Sequence, residues 1–191
     1  NDVATVLAEA IGGTERKFAK TMTRRARALG MKNTTFKNAS GLPNRRQLST
    51  AEDMAILARA LLYRHADMYH YFSRKTFTFE GRRHRSHNKL MSRYKGMDGI
   101  KTGYTRASGF NLVASAQRAG IRVIAVVFGG KTSRSRDRHT ARLLNRGFAA
   151  LNAVVVSAKT TKTLASTNSL SKRKQAFRLE TFKKSHRLAK N

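Results

Sequence analysis

Apolar residues follow a helical period over the first third of the chain and a strand period over the middle. Val3, Val6, Leu7, Ala10 and Ile11 stand at i, i+3, i+4, i+7 and i+8, which predicts a helix with one buried face, capped by Asn1 or Asp2. A second helix is predicted from Thr14, burying Phe18, Met22 and Leu29 and stopping at Gly30, a residue suited to the left-handed position past a helix end. Its other face carries Arg16, Lys17, Arg24, Arg25 and Arg27. Ser49-Thr50-Ala51-Glu52-Asp53 resembles a capping box and opens a third helix with Met54, Leu57, Leu61 and Leu62 on one face. Thr76-Phe77-Thr78-Phe79 alternates like a strand and ends at Glu80-Gly81, followed by a polar, basic connector through Asn88.

Two β-branched, apolar runs come next, Gly109 to Ala116 and Ile121 to Phe128, separated by Gln117-Arg118-Ala119-Gly120. They predict a hairpin, and the segment around Ile100 supplies a third antiparallel strand. Beyond Gly129-Gly130, a loop from Lys131 to Ser135 leads into Leu143, Leu144, Phe148 and Leu151, the period of one amphipathic helix packed on the sheet. The class is therefore α+β. A domain is expected over 1–156, with a helical part at 1–75 and the sheet and final helix at 76–156. From 157 to 191 Lys, Arg, Ser and Thr dominate, and too little apolar surface is left to offset the entropy of ordering. That stretch reads as a disordered basic tail, with helical spacing at Phe177, Leu179 and Phe182 suited to an anionic polymer or membrane surface.

Composition narrows the classes. Lys and Arg number 40 against 10 Asp and Glu, for a formal charge of +30, which attracts polyanions without naming one. Neither zinc-finger spacing nor an aromatic RNA-binding signature accompanies that charge, so specific nucleic-acid recognition is not expected. With no Cys, thiolate metal sites and disulfides are excluded. His84, His87 and His139 lack converging carboxylates and read as loop histidines, so no metal site is expected.

The stretch that carries chemistry is Asp98-Gly99-Ile100-Lys101-Thr102-Gly103-Tyr104-Thr105, a Lys-Thr-Gly triplet on a strand. With it come Asn1-Asp2 and its helix, Leu29 to Phe36, Asn38-Ala39-Ser40-Gly41-Leu42, Ser49 to Met54, and Leu143 to Phe148. In this order, over residues 1 to 150, the chain resembles the serine-type D-alanyl-D-alanine carboxypeptidases, the low-molecular-mass penicillin-binding proteins. The resemblance implies the penicillin-binding/β-lactamase-like transpeptidase fold, an antiparallel sheet flanked by helices, expected here to be incomplete at its N-terminal side.

The family works with a Ser-x-x-Lys nucleophile, a Ser-x-Asn and the Lys-Thr-Gly. By position Asn1 is the last residue of Ser-x-Asn, so the chain reads as a carboxy-terminal fragment, inactive by itself and exposing an apolar sheet surface. The Ser-x-x-Lys matches starting at Ser86, Ser92, Ser169 and Ser171 lie in the connector or the tail, not at a helix start, and read as solvated serines. The implied catalytic residues are Asn1 and Lys101. Lys101, Thr102, Gly103, Tyr104 and Arg136 are the implied substrate-binding set. Lys101 and Thr102 hold a terminal carboxylate, Gly103 admits substrate backbone, the N–H of Tyr104 joins the oxyanion hole, and the Asn1 amide orients substrate or the catalytic lysine. A Tyr at 104 departs from the His of many relatives. Arg136 assists carboxylate recognition, with Arg134 and Arg138 as competitors.

The implied function is removal of the terminal D-alanine from peptidoglycan stem peptides through an acyl-enzyme, with no metal or organic cofactor, in the periplasm or at the cell surface, with β-lactams as acylating ligands of the intact enzyme. Two readings compete with it: a basic, non-catalytic module for anionic polymer or nucleic acid, and a relative that grips stem peptides without cleaving them.

Overall fold

A computed structural model describes residues 1–154, so the expected tail and the expected boundary at 156 lie outside the described residues. Helix α1 (Asp2–Gly12) pairs with α2 (Glu15–Ala28). Thr14 starts α2, its hydroxyl accepting from the Lys17 N–H at 3.2 Å. Gly30, at φ +94°, ends it, while the Met31 N–H returns to the Ala26 carbonyl at 2.9 Å. Ala19 and Ala26 are the buried residues of α2, and Phe18, Met22 and Leu29 are half-buried.

The expected buried face of α1 is not there. Val3, Val6, Leu7 and Ile11 are 57 to 73% exposed, and only Ala8 is buried. Helical period reports an apolar stripe, but burial needs an element to cover it, and α1 meets α2 elsewhere: a Cβ on Gly12 would fall 2.8 Å from the Phe18 Cβ, and the Thr5 hydroxyl donates to the Glu15 carboxylate at 3.2 Å.

Helix α3 (Ala51–Arg64) is capped by Thr50, whose hydroxyl accepts from the Asp53 N–H at 3.1 Å. The box is half of what its sequence implied. The Asp53 carboxylate is drawn away, buried, to accept from the Asn33 N–H at 2.8 Å and the Thr34 hydroxyl at 2.6 Å, tying α3 to the turn after α2. The face α3 buries is Asp53, Ala58 and Leu62, with Leu57 exposed. A 3-10 turn follows (Ala66–Tyr71).

Residues 76 to 85 correct the expected connector. Strand β1 (Thr76–Phe79) pairs antiparallel with β2 (Arg82–Arg85) through a two-residue turn at Glu80 and Gly81, both at positive φ. Arg-Arg-His-Arg hides its strand character because both faces of β2 meet solvent and no alternation develops. A short helix α4 (Leu90–Arg93) then buries Leu90 and Met91.

The main sheet has the order β3 (Met97–Thr105), β4 (Gly109–Arg118), β5 (Ile121–Gly130), antiparallel throughout, as expected. Ala119 and Gly120, both at positive φ, make the β4–β5 turn. One sheet face carries Leu112, Ala114, Ala116, Val123 and Ala125, packed against Leu144 and Phe148 of the closing helix α5, which begins at 133 and runs through 148 within the compact unit Asn1–Phe148. Residues 149–154 are also helical. The other face, with Val113, Ser115 and Ile124, turns toward α3. Because paired residues in an antiparallel ladder share a face, Lys101, opposite Val113, belongs to this second face.

Candidate active site

β3 is an edge strand, so its outer backbone is unpaired over Lys101 to Gly103 among the described residues. The start of that strand is held firmly. Arg122 on β5 donates to the Asp98 carboxylate and to the Ser115 hydroxyl, both at 2.6 Å, and the Tyr69 hydroxyl reaches Asp98 at 3.2 Å. Burial pushes the Tyr69 phenol up to about 12. Gly99 has no alternative residue here, because a Cβ would stand 2.5 Å from the Tyr69 hydroxyl. The Asn88 amide closes the same point, donating to the Gly99 carbonyl at 3.2 Å.

Further along, the strand opens. At Gly103 a Cβ would meet only Asn111 Cβ, at 4.0 Å, so free space lies over this residue. The Lys101 ammonium donates to the Thr102 carbonyl at 2.7 Å and remains exposed. The Tyr104 ring is exposed and leans on Phe110 with centroids 4.4 Å apart.

A cavity of about 600 Å³ lies along this edge. Asn1, Lys101, Thr102, Gly103, Tyr104 and Arg136 all line it, so the six residues singled out from sequence meet in one place. Asn1 occupies the N-cap position of α1 but its side chain makes no capping bond. Arg136 is buried, and neither Arg134 nor Arg138 lines the cavity. Its Nε and Nη2 face one oxygen of Asp137 at 2.9 Å, and its Nη1 donates to the Asn111 carbonyl at 2.9 Å. Each terminal nitrogen keeps one further N–H. Among the described residues no carboxylate side chain lines the cavity, whereas Lys89, Lys101 and Arg136 do, which suits an anion.

Sequence reasoning missed part of the lining. His87 and Lys89 come from the segment before α4, and Ser40-Gly41-Leu42-Pro43 form the opposite wall. That wall is built by Asn38, whose side-chain Oδ1 accepts from the Gly41 N–H at 2.9 Å while its Nδ2 donates to the Leu42 carbonyl at 2.9 Å. The Asn38-Ala39-Ser40-Gly41-Leu42 run was the available signal, and it entered the family resemblance without pointing to a site. The Ser86 hydroxyl accepts from the Asn88 N–H at 3.2 Å, a turn role, and Ser92 is exposed on α4. A second cavity, of about 550 Å³ and mostly apolar, adjoins the first at Lys101 to Gly103 and is lined by Met22, Phe36, Met54, Leu61, Val113 and Phe128.

Residues 1–132 match the peptidase S11 family, described as D-alanyl-D-alanine carboxypeptidase. The chain is 41% identical over 149 residues to the D-alanyl-D-alanine carboxypeptidase DacC of Escherichia coli, covering 78% of this chain and 37% of that protein. To DacF of Bacillus subtilis it is 38% identical over 157 residues, covering 78% and 39%. Its structure superposes on penicillin binding protein 5 of Haemophilus influenzae with a TM-score of 0.75 at 38% identity, covering 78% of this chain and 44% of that one. Penicillin-binding protein D2 of Listeria monocytogenes, solved in its ampicillin-bound form, gives 0.72 at 35%, covering 78% and 62%. The chain thus spans about two fifths of the length of the curated relatives it matches. The Lys-Thr-Gly edge, the three-stranded antiparallel sheet with helices on both faces and these matches agree: the chain belongs to the D-alanyl-D-alanine carboxypeptidase family.

Proposed function

We propose that this chain forms the carboxylate-binding side of a serine-type D-Ala-D-Ala carboxypeptidase, which removes the terminal D-alanine of peptidoglycan stem peptides through an acyl-enzyme. The observation that carries the proposal is the gathering of Asn1, Lys101, Thr102, Gly103, Tyr104 and Arg136 around one cavity that, among the described residues, no carboxylate lines.

Each role follows from position. Lys101 places a fixed positive charge at the strand margin, where it attracts the peptide's terminal carboxylate and favours negative charge developing at the scissile carbonyl. The Thr102 hydroxyl donates to the same carboxylate. Gly103 leaves room for substrate backbone to lie against the edge strand. The Tyr104 N–H is the chain's contribution to the oxyanion hole, its ring resting on Phe110. Arg136 is held by Asp137 and Asn111, so its remaining N–H groups are preorganised donors, and the Asn1 amide, unused in capping, orients substrate. No residue of this chain is assigned as the nucleophile. The ampicillin- and cefotaxime-bound forms of the Listeria relative support β-lactams as ligands of the intact enzyme. Peptidoglycan as substrate places the reaction in the periplasm or at the cell surface. Neither the family match nor the structural matches favours the basic binding module as an alternative.

Calorimetric titration with an N-acylated Lys-D-Ala-D-Ala peptide tests the assignment. Binding that is lost when the peptide's C-terminus is amidated, and lost in Lys101→Ala, supports it. Equal binding of acid and amide contradicts it.

A further inference from the structure

The β1–β2 hairpin stands apart from the core, with every one of its strand residues exposed. Register places Phe77 opposite His84 and Phe79 opposite Arg82, so these four side chains share a face. On it the rings of Phe77 and Phe79 lie almost parallel, 13° apart with centroids at 6.4 Å, and are 54% and 58% exposed. The other face carries Arg83 and Arg85. Arg74 and Lys75 lead into the hairpin, and Glu80 is its only acid. None of these cations has a carboxylate within ion-pair distance among the described residues, where the ion pairs are Arg122 with Asp98 and Arg136 with Asp137.

A two-stranded ribbon with no core beneath it gains nothing from two solvent-facing phenyl rings, and the uncompensated cations beside them repel one another. Such a surface is complementary to a chain that alternates flat, weakly polar rings with carboxylates. Its position ties it to the site already described. A cavity of about 520 Å³ is lined by Arg74, Phe77, His84 and Arg85 on the hairpin side and by Ile100 and Lys101 on the strand side.

We infer that the hairpin is a docking surface for the polymeric part of the substrate. Pyranose rings of the glycan stack on Phe77 and Phe79, and carboxylates of the attached peptides pair with the arginines of β2. The inference rests on the carboxypeptidase reading and extends it: the enzyme grips the polymer at a second place besides the peptide's terminus. Nucleic acid is the other polyanion with stacking rings, but nothing ties it to a cavity that ends at Lys101.

Co-sedimentation with purified insoluble peptidoglycan, in about 0.15 M salt to screen long-range attraction, tests it. The variants are Phe79→Ser/Arg82→Gln and Phe77→Ser/His84→Asn. Arg16→Gln/Arg24→Gln/Arg25→Gln on the exposed face of α2 is the control for charge. Each hairpin variant is expected to lose about tenfold in polymer affinity and the α2 control less than about twofold, with melting temperatures unchanged. Phe79→Ser/Arg82→Gln, which lies outside the lining of the cavities described above, is expected to bind the short Lys-D-Ala-D-Ala peptide like the parent. Hairpin variants that sediment like the parent, an α2 control that loses as much, or duplex DNA that competes as well as soluble glycan fragments each overturn the inference. Loss of short-peptide binding by the parent chain, with hairpin-dependent sedimentation intact, would instead count against the carboxypeptidase reading alone.

Discussion

The guanidinium of Arg122 sits 2.6 Å from the Asp98 carboxylate, joining the last strand of the sheet to the first, three residues before Lys101. Both side chains are largely shielded, at 20% and 26% exposure, and Arg122 also holds Ser115 and Gln117 on the middle strand. Arg122→Leu leaves Asp98 without its cation and Ser115 without a donor. Charge-assisted bonds of this kind contribute about 1.5 to 3 kcal/mol, so urea unfolding should show a loss of about 2 kcal/mol. A change below about 0.5 kcal/mol, the size of an ordinary surface substitution, would show that the pair is not structural.

Tyr69 completes that cluster, and its ionisation gives a signature at high pH. Burial raises the phenol from 10.0 to about 12 in the folded chain. The folded state therefore keeps a proton that the unfolded state gives up. The contribution is complete below pH 10 and disappears as pH rises through 12. Stability of the parent should fall more steeply than that of Tyr69→Phe across this window, measured by urea unfolding at successive pH values. Parallel curves would mean the phenol is not held in its neutral form.

Two glycines of one strand should respond in opposite ways. Gly99→Ala forces a methyl to within 2.5 Å of the Tyr69 hydroxyl, and overpacking of this kind costs about 1 to 3 kcal/mol. Gly103→Ala meets open space and should change stability by less than about 0.5 kcal/mol, while its methyl would intrude on the proposed path of substrate backbone and should weaken peptide binding. Thermal melts and peptide titrations on both variants separate the two effects. Unimpaired binding by Gly103→Ala would move the substrate away from this edge.

Asp53 is 3% exposed and satisfies both the Asn33 N–H and the Thr34 hydroxyl. Asp53→Ala takes the carboxylate from both donors, of which the Thr34 hydroxyl is buried and the Asn33 N–H is not, and a buried donor left without its acceptor costs about 1 to 3 kcal/mol. Chemical denaturation should show a loss of about 3 kcal/mol, against about 1 kcal/mol for the cap variant Thr50→Ala. Similar losses in the two variants would mean that Asp53 acts through the helix end alone.

What could be read from the chain beforehand follows from where the physics is local. β4 and β5 announce themselves because each has one face on a core and the turn at Ala119-Gly120 fixes their register. Thr14 and Thr50 likewise mark helix starts through bonds to residues three positions on. β2 stayed hidden because nothing covers either of its faces. The exposure of Val3, Val6, Leu7 and Ile11 was also beyond reach, since periodicity records a stripe and not whether anything packs on it. At the site, Lys101 and its strand neighbours were legible from contiguity, and Asn1 and Arg136 through family resemblance. His87 and Lys89 were not, because only the fold of the segment before α4 carries them to the cavity.

The most direct measurement is the affinity of the N-acylated Lys-D-Ala-D-Ala peptide for the parent chain, Lys101→Ala and Lys101→Arg, each against the amidated peptide. The expected result is acid-over-amide preference in the parent, its disappearance in Lys101→Ala and partial recovery in Lys101→Arg. A preference that survives the removal of the Lys101 amine contradicts the assignment of this strand edge as the carboxylate site.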